Sequence, residues 1–277
     1  MASQPVPADT GAAAWKSRRH TASAVERARM STRVRGYDIH SLEAGSAGDP
    51  LVLLHGLSGS GRWWERNING LATRHRVLIP DLVGYGRSPL AGRVPTLDAM
   101  ADLLASWLDV LEIEQADVAG HSMGGQVAIH FAVRHPQRLH RLVLVDAAGI
   151  PRPTTPRHVA RFALEIAPLW RWGDPSFLRV IVGDAWTAGP RTLLRSIGHI
   201  LRDDVRPLLP RIQAPTLILW GERDSWVPLS HALELRQGIP DSSLVILRGA
   251  AHMPMVDRPE AFNRLVLRFL QGEPVGA

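Results

Sequence analysis

The fold expected for this chain follows from residues 116–127, Ala116-Asp-Val-Ala-Gly-His-Ser-Met-Gly-Gly-Gln-Val127. A short apolar run leads into Gly120-His-Ser-Met-Gly124, and Val127-Ala-Ile129 then continues as a helix. The order of strand, Gly-x-Ser-x-Gly and helix predicts a turn so sharp that the serine backbone is strained. Glycines stand where strand and helix pass too close for side chains. Such a turn lifts the Ser122 hydroxyl clear of the chain and points the helix N-terminus towards it.

The Gly-x-Ser-x-Gly pattern is not specific by itself, so its surroundings have to support it. With Gly and Ser each near 7% of residues, the pattern occurs by chance in about one chain in ten of this length. The chain has 277 residues, enough for one large α/β domain or two small ones. The absence of cysteine excludes a thiol nucleophile, a disulfide framework and a thiolate metal site. No apolar run approaches the roughly 20 residues that a membrane span needs.

The positive charge of the chain is concentrated at one end. The net charge is +6, but residues 1–35 hold seven basic and two acidic residues, which leaves the remainder nearly neutral. A nucleic-acid-binding face is therefore not expected.

Residues 1–30 are predicted to form a basic, flexible extension; the alternative is an arm that docks on an acidic partner or a membrane surface. No apolar segment follows Arg18-Arg19, so an export signal is not supported and a cytoplasmic location is expected.

Strand and helix patterns alternate along the rest of the chain. Two short strands with a turn at Gly36 are predicted between Thr32 and Glu43. Buried strands are predicted at Leu51–Leu54, Arg76–Ile79, Leu142–Asp146, Thr216–Trp220 and Leu244–Leu247, besides the strand before Ser122. The alternation predicts an α/β fold, with a mostly parallel, doubly wound sheet covered by helices on both faces. Residues 150–210 have helical segments and no strand, which predicts a helical cap inserted into a core of residues 31–149 and 211–277.

A nucleophilic serine needs a base to take its proton and an acid to orient that base. The best base is His252, just after the last predicted strand, and the best acid is Asp224, just after the strand before it. Catalytic groups in open α/β sheets gather at the carboxyl ends of strands, where all three candidates fall. Asp146 also ends a strand and is the reserve acid. The backbone N–H groups of Met123 and Leu57 are expected to form the oxyanion hole.

With these residues in place, the chain resembles the α/β-hydrolase fold superfamily, in its capped, esterase-like group, from about residue 32 to the end. The resemblance rests on five stretches in order: Leu53-Leu-His-Gly56, Pro80-Asp-Leu-Val-Gly-Tyr-Gly-Arg-Ser88, Gly120-His-Ser-Met-Gly-Gly125, Gly221-Glu-Arg-Asp224 with Val227-Pro228, and Ala251-His-Met-Pro254. It implies a helical cap, a catalytic triad of Ser122, Asp224 and His252, and no cofactor. No metal is expected either, because the twelve histidines include no His-Glu-x-x-His motif.

The expected substrate is a carboxylic ester with a small to medium apolar acyl group, cleaved through an acyl-enzyme with a neutral to alkaline pH optimum. The substrate pocket is predicted to include His55, Trp63, His121, Trp170, Trp186, Trp226 and Met253.

A cap arginine could still meet a substrate carboxylate. This keeps open the carbon–carbon bond hydrolases that use the same triad, although that group usually has Trp where Met253 stands. Lactonases and cofactor-free haloperoxidases or perhydrolases share the motifs. A catalytically slow ligand receptor or scaffold is the alternative of another class, and either a monomer or a homodimer is compatible with the sequence.

Overall fold

A computed structural model describes residues 25–151 and 175–275. Its strands are β1 (Arg27–Val34), β2 (Tyr37–Ala44), β3 (Pro50–Leu54), β4 (Arg76–Pro80), β5 (Ala116–His121), β6 (Leu139–Val145), β7 (Thr216–Gly221) and β8 (Ser242–Leu247). They form one sheet in the order β1-β2-β4-β3-β5-β6-β7-β8. β2 runs antiparallel to β1 and to β4, whereas all pairs from β4 to β8 are parallel. The predicted mostly parallel sheet is confirmed.

Helices cover both faces of this sheet. They are α1 (Glu65–Leu71), α2 (Leu97–Val110), α3 (Met123–Arg134), α4 (Pro175–Arg202), α5 (Leu229–Gly238), α6 (Pro254–Asp257) and α7 (Pro259–Leu270). Alternate residues of a strand point to opposite faces, and β3 shows how this divides the core. Val52 and Leu54 belong to the buried cluster beneath α2 and α3, whereas Leu51 and Leu53 belong to the cluster beneath α1 and α7. Burial on both faces explains why β3 is a continuous apolar run.

The edge strand β1 begins earlier than the sequence pattern indicates. It pairs with β2 from Arg27 opposite Ala44 to Val34 opposite Tyr37. Residues 27–30 therefore belong to the sheet, not to the predicted extension of residues 1–30. Charged side chains are common on edge strands because they discourage pairing with other chains, and here they obscured the strand pattern. Residues 1–24 lie outside the described residues.

The long helix α4 stands between β6 and β7, within the predicted cap of residues 150–210. Its helical backbone is interrupted at Gly189, whose φ of 71° places a kink in the helix. Two buried polar contacts tie α4 to loops of the sheet. The Ser60 hydroxyl donates to Asp184 Oδ2 over 2.7 Å, and the Tyr85 hydroxyl donates to Ser196 Oγ over 2.6 Å. These contacts hold α4 above the loops that follow β3 and β4.

The strand register brings the carboxyl ends of the central strands to one level. His121, the last residue of β5, lies beside Val145 of β6, which in turn lies beside Leu219 of β7. Ser122 and Asp146 are the next residues after two of these aligned positions. Since parallel strands all end at the same edge, the loops after β5, β6, β7 and β8 meet there.

The close approach of strand and helix at the serine turn can be tested with Gly120→Ala. A Cβ at Gly120 would lie 2.3 Å from the Gly124 carbonyl oxygen. Because that neighbour is backbone and cannot rotate away, we expect the free energy of unfolding to fall by about 1–3 kcal/mol or more. The measurement is urea unfolding followed by circular dichroism.

Gly183→Ala is the matched control for this substitution. Gly183 is an exposed residue of α4, and a Cβ there meets nothing within 4 Å. Alanine should be neutral or stabilising by up to about 1 kcal/mol, through its better helix propensity. Equal unfolding midpoints for the two variants would contradict the packing described at Gly120.

Candidate active site

Ser122 occupies a strained turn between β5 and α3. Its φ of 52° and ψ of −116° lie outside the regions that non-glycine residues usually adopt. The turn is fixed on both sides, because the Ser122 N–H donates to Val145 O over 3.0 Å and its carbonyl accepts the Ala148 N–H over 3.1 Å. A Cβ on Gly124 would lie 2.6 Å from the carbonyl oxygen of Leu54, so helix α3 can start this close to β3 only with glycine there.

The Ser122 hydroxyl faces a histidine that is itself held by a carboxylate. His252 Nε2 lies 3.2 Å from Ser122 Oγ, and His252 Nδ1 lies 2.8 Å from Asp224 Oδ2. The pair is enclosed, with 8% of the His252 side chain and 1% of the Asp224 side chain exposed. A ring that donates from Nδ1 to the carboxylate leaves the Nε2 lone pair towards the serine hydroxyl. This arrangement can remove a proton from Ser122.

The surroundings of Asp224 favour its ionised form, although the side chain is buried. Burial opposes its ionisation, but the neighbouring His252 and hydrogen bonds hold the pKa of Asp224 below its usual value. Two of these bonds come from the backbone, since the N–H groups of Trp226 and Val227 donate to Asp224 Oδ1 over 2.7 and 2.8 Å. Hydrogen bonds to the charged form favour that form.

The two residues predicted for the oxyanion hole are both close to Ser122, one along the chain and one across the cavity lining. Met123 is the first residue of α3, so its N–H is one of the N-terminal helix donors that have no partner within the helix. Leu57 lies in the turn after β3 and lines the same cavity as Ser122. Within the described ranges, neither N–H donates to another protein group. Both are therefore free to receive a substrate oxygen.

An apolar cavity of about 90 Å³ opens over Ser122. Its walls come from the loop after β3, the loop after β6, helix α4 and the loop after β7, with Ser122 and His231 as its polar lining. The lining residues are Leu57, Ser122, Ala148, Gly149, Ile150, Pro151, Ile197, Ile200, Leu201, Trp226, Val227 and His231. Of the predicted pocket residues, Trp226 lines this cavity. No arginine or lysine lines it in the part of the chain that the structure describes.

Two predicted pocket histidines are buried and bonded to the backbone instead. His55 Nδ1 donates to Gly56 O over 2.8 Å, and its Nε2 accepts the Leu82 N–H over 3.0 Å, which joins the loops after β3 and β4. His121 Nε2 donates to the carbonyl oxygen of His252 over 2.7 Å. Burial is the main cause that lowers the pKa of His121 to about 3, and the charge of His252 adds to it. Neither histidine is among the described residues that line the cavity, and the ring nitrogens named here are bonded to backbone groups.

The predicted tryptophans and Met253 have different surroundings. Trp63 is buried, with its ring centroid 5.8 Å from that of His121, and Met253 packs with the core cluster beneath α1 and α7. Neither lines the cavity. Trp186 is 88% exposed and is not among the described residues that line the cavity. The face that α4 buries runs through Asp184 and Ala188, which puts Trp186 on the opposite side of the helix. Trp170 lies outside the described residues.

Four lining residues on helices were not predicted. Ile197, Ile200 and Leu201 have the i, i+3, i+4 spacing of one helix face, and this signal could have identified them. His231 follows Pro228 in α5 by three residues, and nothing in its local sequence indicates that it reaches the cavity. Its place there follows from the packing of α5 against the sheet.

One cluster in the described residues has the donor atoms of a metal site. Single ligand atoms of Asp146, Asp224 and His252 lie within 4.8 Å of one another. His252 Nδ1 and Asp224 Oδ2 are already hydrogen-bonded at 2.8 Å. A cation that both atoms coordinated at about 2.0–2.2 Å would have to push them apart. The cluster fits a hydrogen-bonded proton better than a metal ion.

The chain belongs to the alpha/beta hydrolase family, whose sequence profile matches residues 51–265. This family and the sheet described above also confirm the α/β-hydrolase fold that the sequence motifs indicate. The chain is a hydrolase by the same evidence. Among the described residues, none of the helices combines the length and the apolar character needed to cross a membrane.

Curated relatives of the chain include proteins with different activities. It is 33% identical over 245 residues to the dihydrolipoyllysine-residue acetyltransferase component of the acetoin cleaving system of Pseudomonas putida. This match covers 82% of this chain and 65% of that longer protein. It is 33% identical to a pimeloyl-[acyl-carrier protein] methyl ester esterase of Chromobacterium violaceum, over 81% of this chain and 95% of the relative. It is 31% identical to a 2-hydroxy-6-oxononadienedioate/2-hydroxy-6-oxononatrienedioate hydrolase of Pseudomonas putida, over 84% of this chain and 91% of the relative.

A solved structure shows the same fold. The crystal structure of a hydrolase from Pseudomonas aeruginosa PA01 superposes with a TM-score of 0.76 at 26% identity, covering 90% of this chain and 99% of that one. Family membership therefore agrees between sequence and structure, whereas the names of the relatives cover more than one reaction.

Neutral His121 gives the protein a pH-dependent stability that can be measured. The pKa of His121 is about 3 in the folded protein, below the ordinary value of 6.5. Its contribution to the free energy of unfolding is therefore complete above pH 6.5. That contribution is lost as the pH falls towards 3, because the unfolded chain then binds a proton that the folded protein does not. In His121→Gln the amide can still donate to the His252 carbonyl but does not titrate. Between pH 7 and 5 the free energy of unfolding of the native protein should fall by about 2 kcal/mol more than that of the variant.

Urea titrations at the two pH values provide this comparison. Some pH dependence should persist in the variant, because burial also lowers the pKa of His55 and of His75. Identical losses in the two proteins would mean that His121 is not held neutral in the fold.

Proposed function

We propose that the protein is a serine hydrolase that cleaves carboxylic esters with small to medium apolar acyl groups. The observation that carries the proposal is the hydrogen-bonded chain Ser122–His252–Asp224 beneath a cavity whose described lining carries no arginine, lysine or carboxylate. A hydroxyl, a base and an oriented acid in this order form the minimal set for nucleophilic acyl transfer.

The first stage forms the acyl-enzyme. As Ser122 Oγ attacks the ester carbonyl, His252 Nε2 takes its proton and the carbonyl electrons move to the oxygen. The N–H groups of Leu57 and Met123 stabilise that oxyanion. Asp224 keeps His252 in the required tautomer and stabilises its charged form. When the carbonyl re-forms, the alcohol leaves with the proton that His252 had taken.

The second stage releases the acid. A water molecule replaces the alcohol, and His252 takes a proton from it as its oxygen attacks the acyl carbon. The same two N–H groups stabilise the second oxyanion. Collapse breaks the bond to Ser122 Oγ, which recovers a proton from His252. The residues return to their starting protonation states, and no cofactor is required.

The charge around the cavity supports a neutral substrate. The arginines of α4 are Arg179, Arg191, Arg195 and Arg202, and all four are exposed to solvent rather than directed at Ser122. A dianionic substrate would be buried without a cationic partner in the described residues, which is costly. Aliphatic walls favour an apolar acyl chain instead.

Carbon–carbon bond hydrolysis is the second candidate. It is supported by the likeness to the 2-hydroxy-6-oxononadienedioate/2-hydroxy-6-oxononatrienedioate hydrolase, which covers most of both chains. The absence of a cation from the described lining speaks against it. The two candidates differ in the substrate charge that they require, and this difference can be tested directly.

The test combines active-site labelling with a substrate panel. A fluorophosphonate should add once to the native protein and not to Ser122→Ala, as read from intact mass, because an activated serine is the site of attack. The panel consists of neutral p-nitrophenyl esters, a lactone and an acidic vinylogous diketone. We expect kcat/KM to be highest for a neutral ester and to fall by at least about a thousandfold in Ser122→Ala.

Thr187→Ala is the control, since this hydroxyl lies on the exposed side of α4 and bonds to the backbone at Gly183. It should leave labelling and turnover unchanged. Faster cleavage of the acidic diketone than of every ester would favour the second candidate. A folded native protein that neither takes up the label nor turns over any substrate would contradict serine hydrolysis and favour the ligand-receptor alternative.

Cavity size predicts how acyl-chain preference can be changed. Ile200 lines the cavity and packs against the core cluster beneath α2 and α3. Ile200→Ala should enlarge the acyl site, so the ratio of kcat/KM for longer over shorter esters should rise by about fourfold for each methylene group newly buried. The ratio is measured with a series of p-nitrophenyl esters.

Leu194→Ala is the matched control on the same helix, because Leu194 is 71% exposed and does not line the cavity. Its ester preference should equal that of the native protein. If both variants change the preference equally, the acyl chain does not occupy the cavity at Ile200.

A further inference from the structure

Helix α4 supplies one wall of the cavity over Ser122. The lining side chains of this wall are Ile197, Ile200 and Leu201, and we call residues 197–201 the cavity wall. Ile197 and Leu201 are 38% and 50% exposed. Because much of their apolar surface stays in water, packing against the core fixes the cavity wall only in part. Its position over Ser122 therefore depends on polar contacts as well.

A break in α4 separates the cavity wall from the first half of the helix. Gly189, with a φ of 71°, interrupts the helical backbone before the cavity wall begins. The contact between Asp184 and Ser60 lies on the far side of this break. It cannot by itself fix residues 197–201, so contacts of the second half of α4 have to do so.

The first such contact joins Tyr85 to the residue before the cavity wall. The Tyr85 hydroxyl donates to Ser196 Oγ over 2.6 Å, and each of the two residues is 1% exposed. The same hydroxyl oxygen lies 3.8 Å from Sδ of Met123, the first residue of α3. Burial is the main cause that raises the pKa of Tyr85 to about 12. The hydroxyl therefore keeps its proton and remains a donor at the pH of an ester assay.

The second contact joins α3 to the residue that follows α4. Asp203 Oδ2 accepts hydrogen bonds from Gln126 Nε2 over 2.6 Å and from His130 Nε2 over 2.9 Å. Gln126 and His130 are four residues apart and so lie on one face of α3. The Gln126 N–H donates to the Ser122 carbonyl over 3.2 Å. Asp203 is thus bonded to the helix that begins at the nucleophile.

Both contacts connect an end of the cavity wall to the surroundings of Ser122. Tyr85 reaches the first residue of α3, and Asp203 reaches side chains further along the same helix. Beyond Asp203, the Val205 N–H donates to Gly149 O over 2.8 Å, in the loop after β6. A movement of the cavity wall away from Ser122 would have to break one of these hydrogen bonds. A polar group left without a partner inside the protein is costly.

We propose that Tyr85 and Asp203 are positioning residues that set the acyl-chain preference of the site by holding the cavity wall over Ser122. Neither residue lines the cavity in the described part of the chain, so each acts on the substrate through the side chains of α4. Loss of either contact should loosen the fit of the acyl chain and leave the hydrogen bonds of the triad in place. The inference rests on the proposed function, but the holding of the cavity wall can be measured without a substrate.

Amide hydrogen exchange of the full chain, measured by mass spectrometry, tests this holding. Tyr85→Phe removes only the hydroxyl, and Asp203→Ala removes the acceptor. Peptides that cover the cavity wall should exchange at least about threefold faster in both variants, because local opening no longer breaks the lost hydrogen bond. Tyr37→Phe is the matched control and should exchange as the native protein does, since Tyr37 is the other tyrosine of the chain and lies in β2. Unchanged exchange in both variants would overturn the proposal.

A series of p-nitrophenyl esters tests the effect on specificity. In Tyr85→Phe and Asp203→Ala, KM for the preferred ester should rise by about three- to tenfold, as expected for the loss of one hydrogen bond. The ratio of kcat/KM between the most and the least preferred ester should fall by at least about threefold. The value of kcat for the preferred ester should stay within about threefold of the native value, because the triad is untouched. Asp203→Asn keeps an oxygen that can accept both donors and should restore native KM and preference.

The outcomes separate this inference from the proposed function. Lower kcat with native KM and native ester preference would overturn the proposal, because the two residues would then act through the triad or through folding. Faster exchange with native preference would overturn the role in specificity. If Tyr85→Phe does not fold, the alanine and asparagine variants of Asp203 decide the matter. A native protein that neither takes up fluorophosphonate nor cleaves an ester would reject the serine hydrolase and the role in specificity, whereas faster exchange in the variants would keep the holding of the cavity wall.

Discussion

The left-handed turn at Ser122 is the constraint on which the rest of the site depends. A non-glycine residue with a φ of 52° costs about 1–3 kcal/mol and persists only where its surroundings fix it. Here the surroundings are β6 and the loop after it, since the serine N–H donates to Val145 and the serine carbonyl accepts the Ala148 N–H. The position of the hydroxyl is therefore set by main-chain packing, which is stiffer than a side-chain rotamer.

The histidines near this turn have different roles because their environments differ. His55 and His121 are fully buried and use their ring nitrogens to join backbone segments, and burial lowers the pKa of each. His252 faces a hydroxyl on one side and a carboxylate on the other. Because His55 and His121 are neutral, they place no charge near the region where the oxyanion would form. Hydrogen bonds to an oxyanion stabilise it more strongly in such a water-poor environment than in bulk water.

Local patterns were sufficient to predict the parts of the fold that depend on backbone chemistry. The run Leu51–Leu54 reads as a strand buried on both faces, and Gly120 and Gly124 are required where β5 and α3 nearly touch. The meeting of Ser122 with His252 could be predicted because parallel strands end at one edge. Side-chain direction could not, since it depends on tertiary packing: the outward position of Trp186 and the cavity position of His231 have no local signal. The start of β1 was missed because its arginines gave it an edge-strand composition.

We propose that the fold presents Ser122 to the base His252 and to the backbone N–H groups of Leu57 and Met123 at once. A crystal structure of the fluorophosphonate adduct measures this geometry most directly, because its phosphoryl oxygen occupies the position of the oxyanion. We expect phosphorus bonded to Ser122 Oγ, with the phosphoryl oxygen within hydrogen-bond distance of the Leu57 and Met123 N–H groups. Phosphorus on another residue, or an oxygen directed away from both N–H groups, would contradict it.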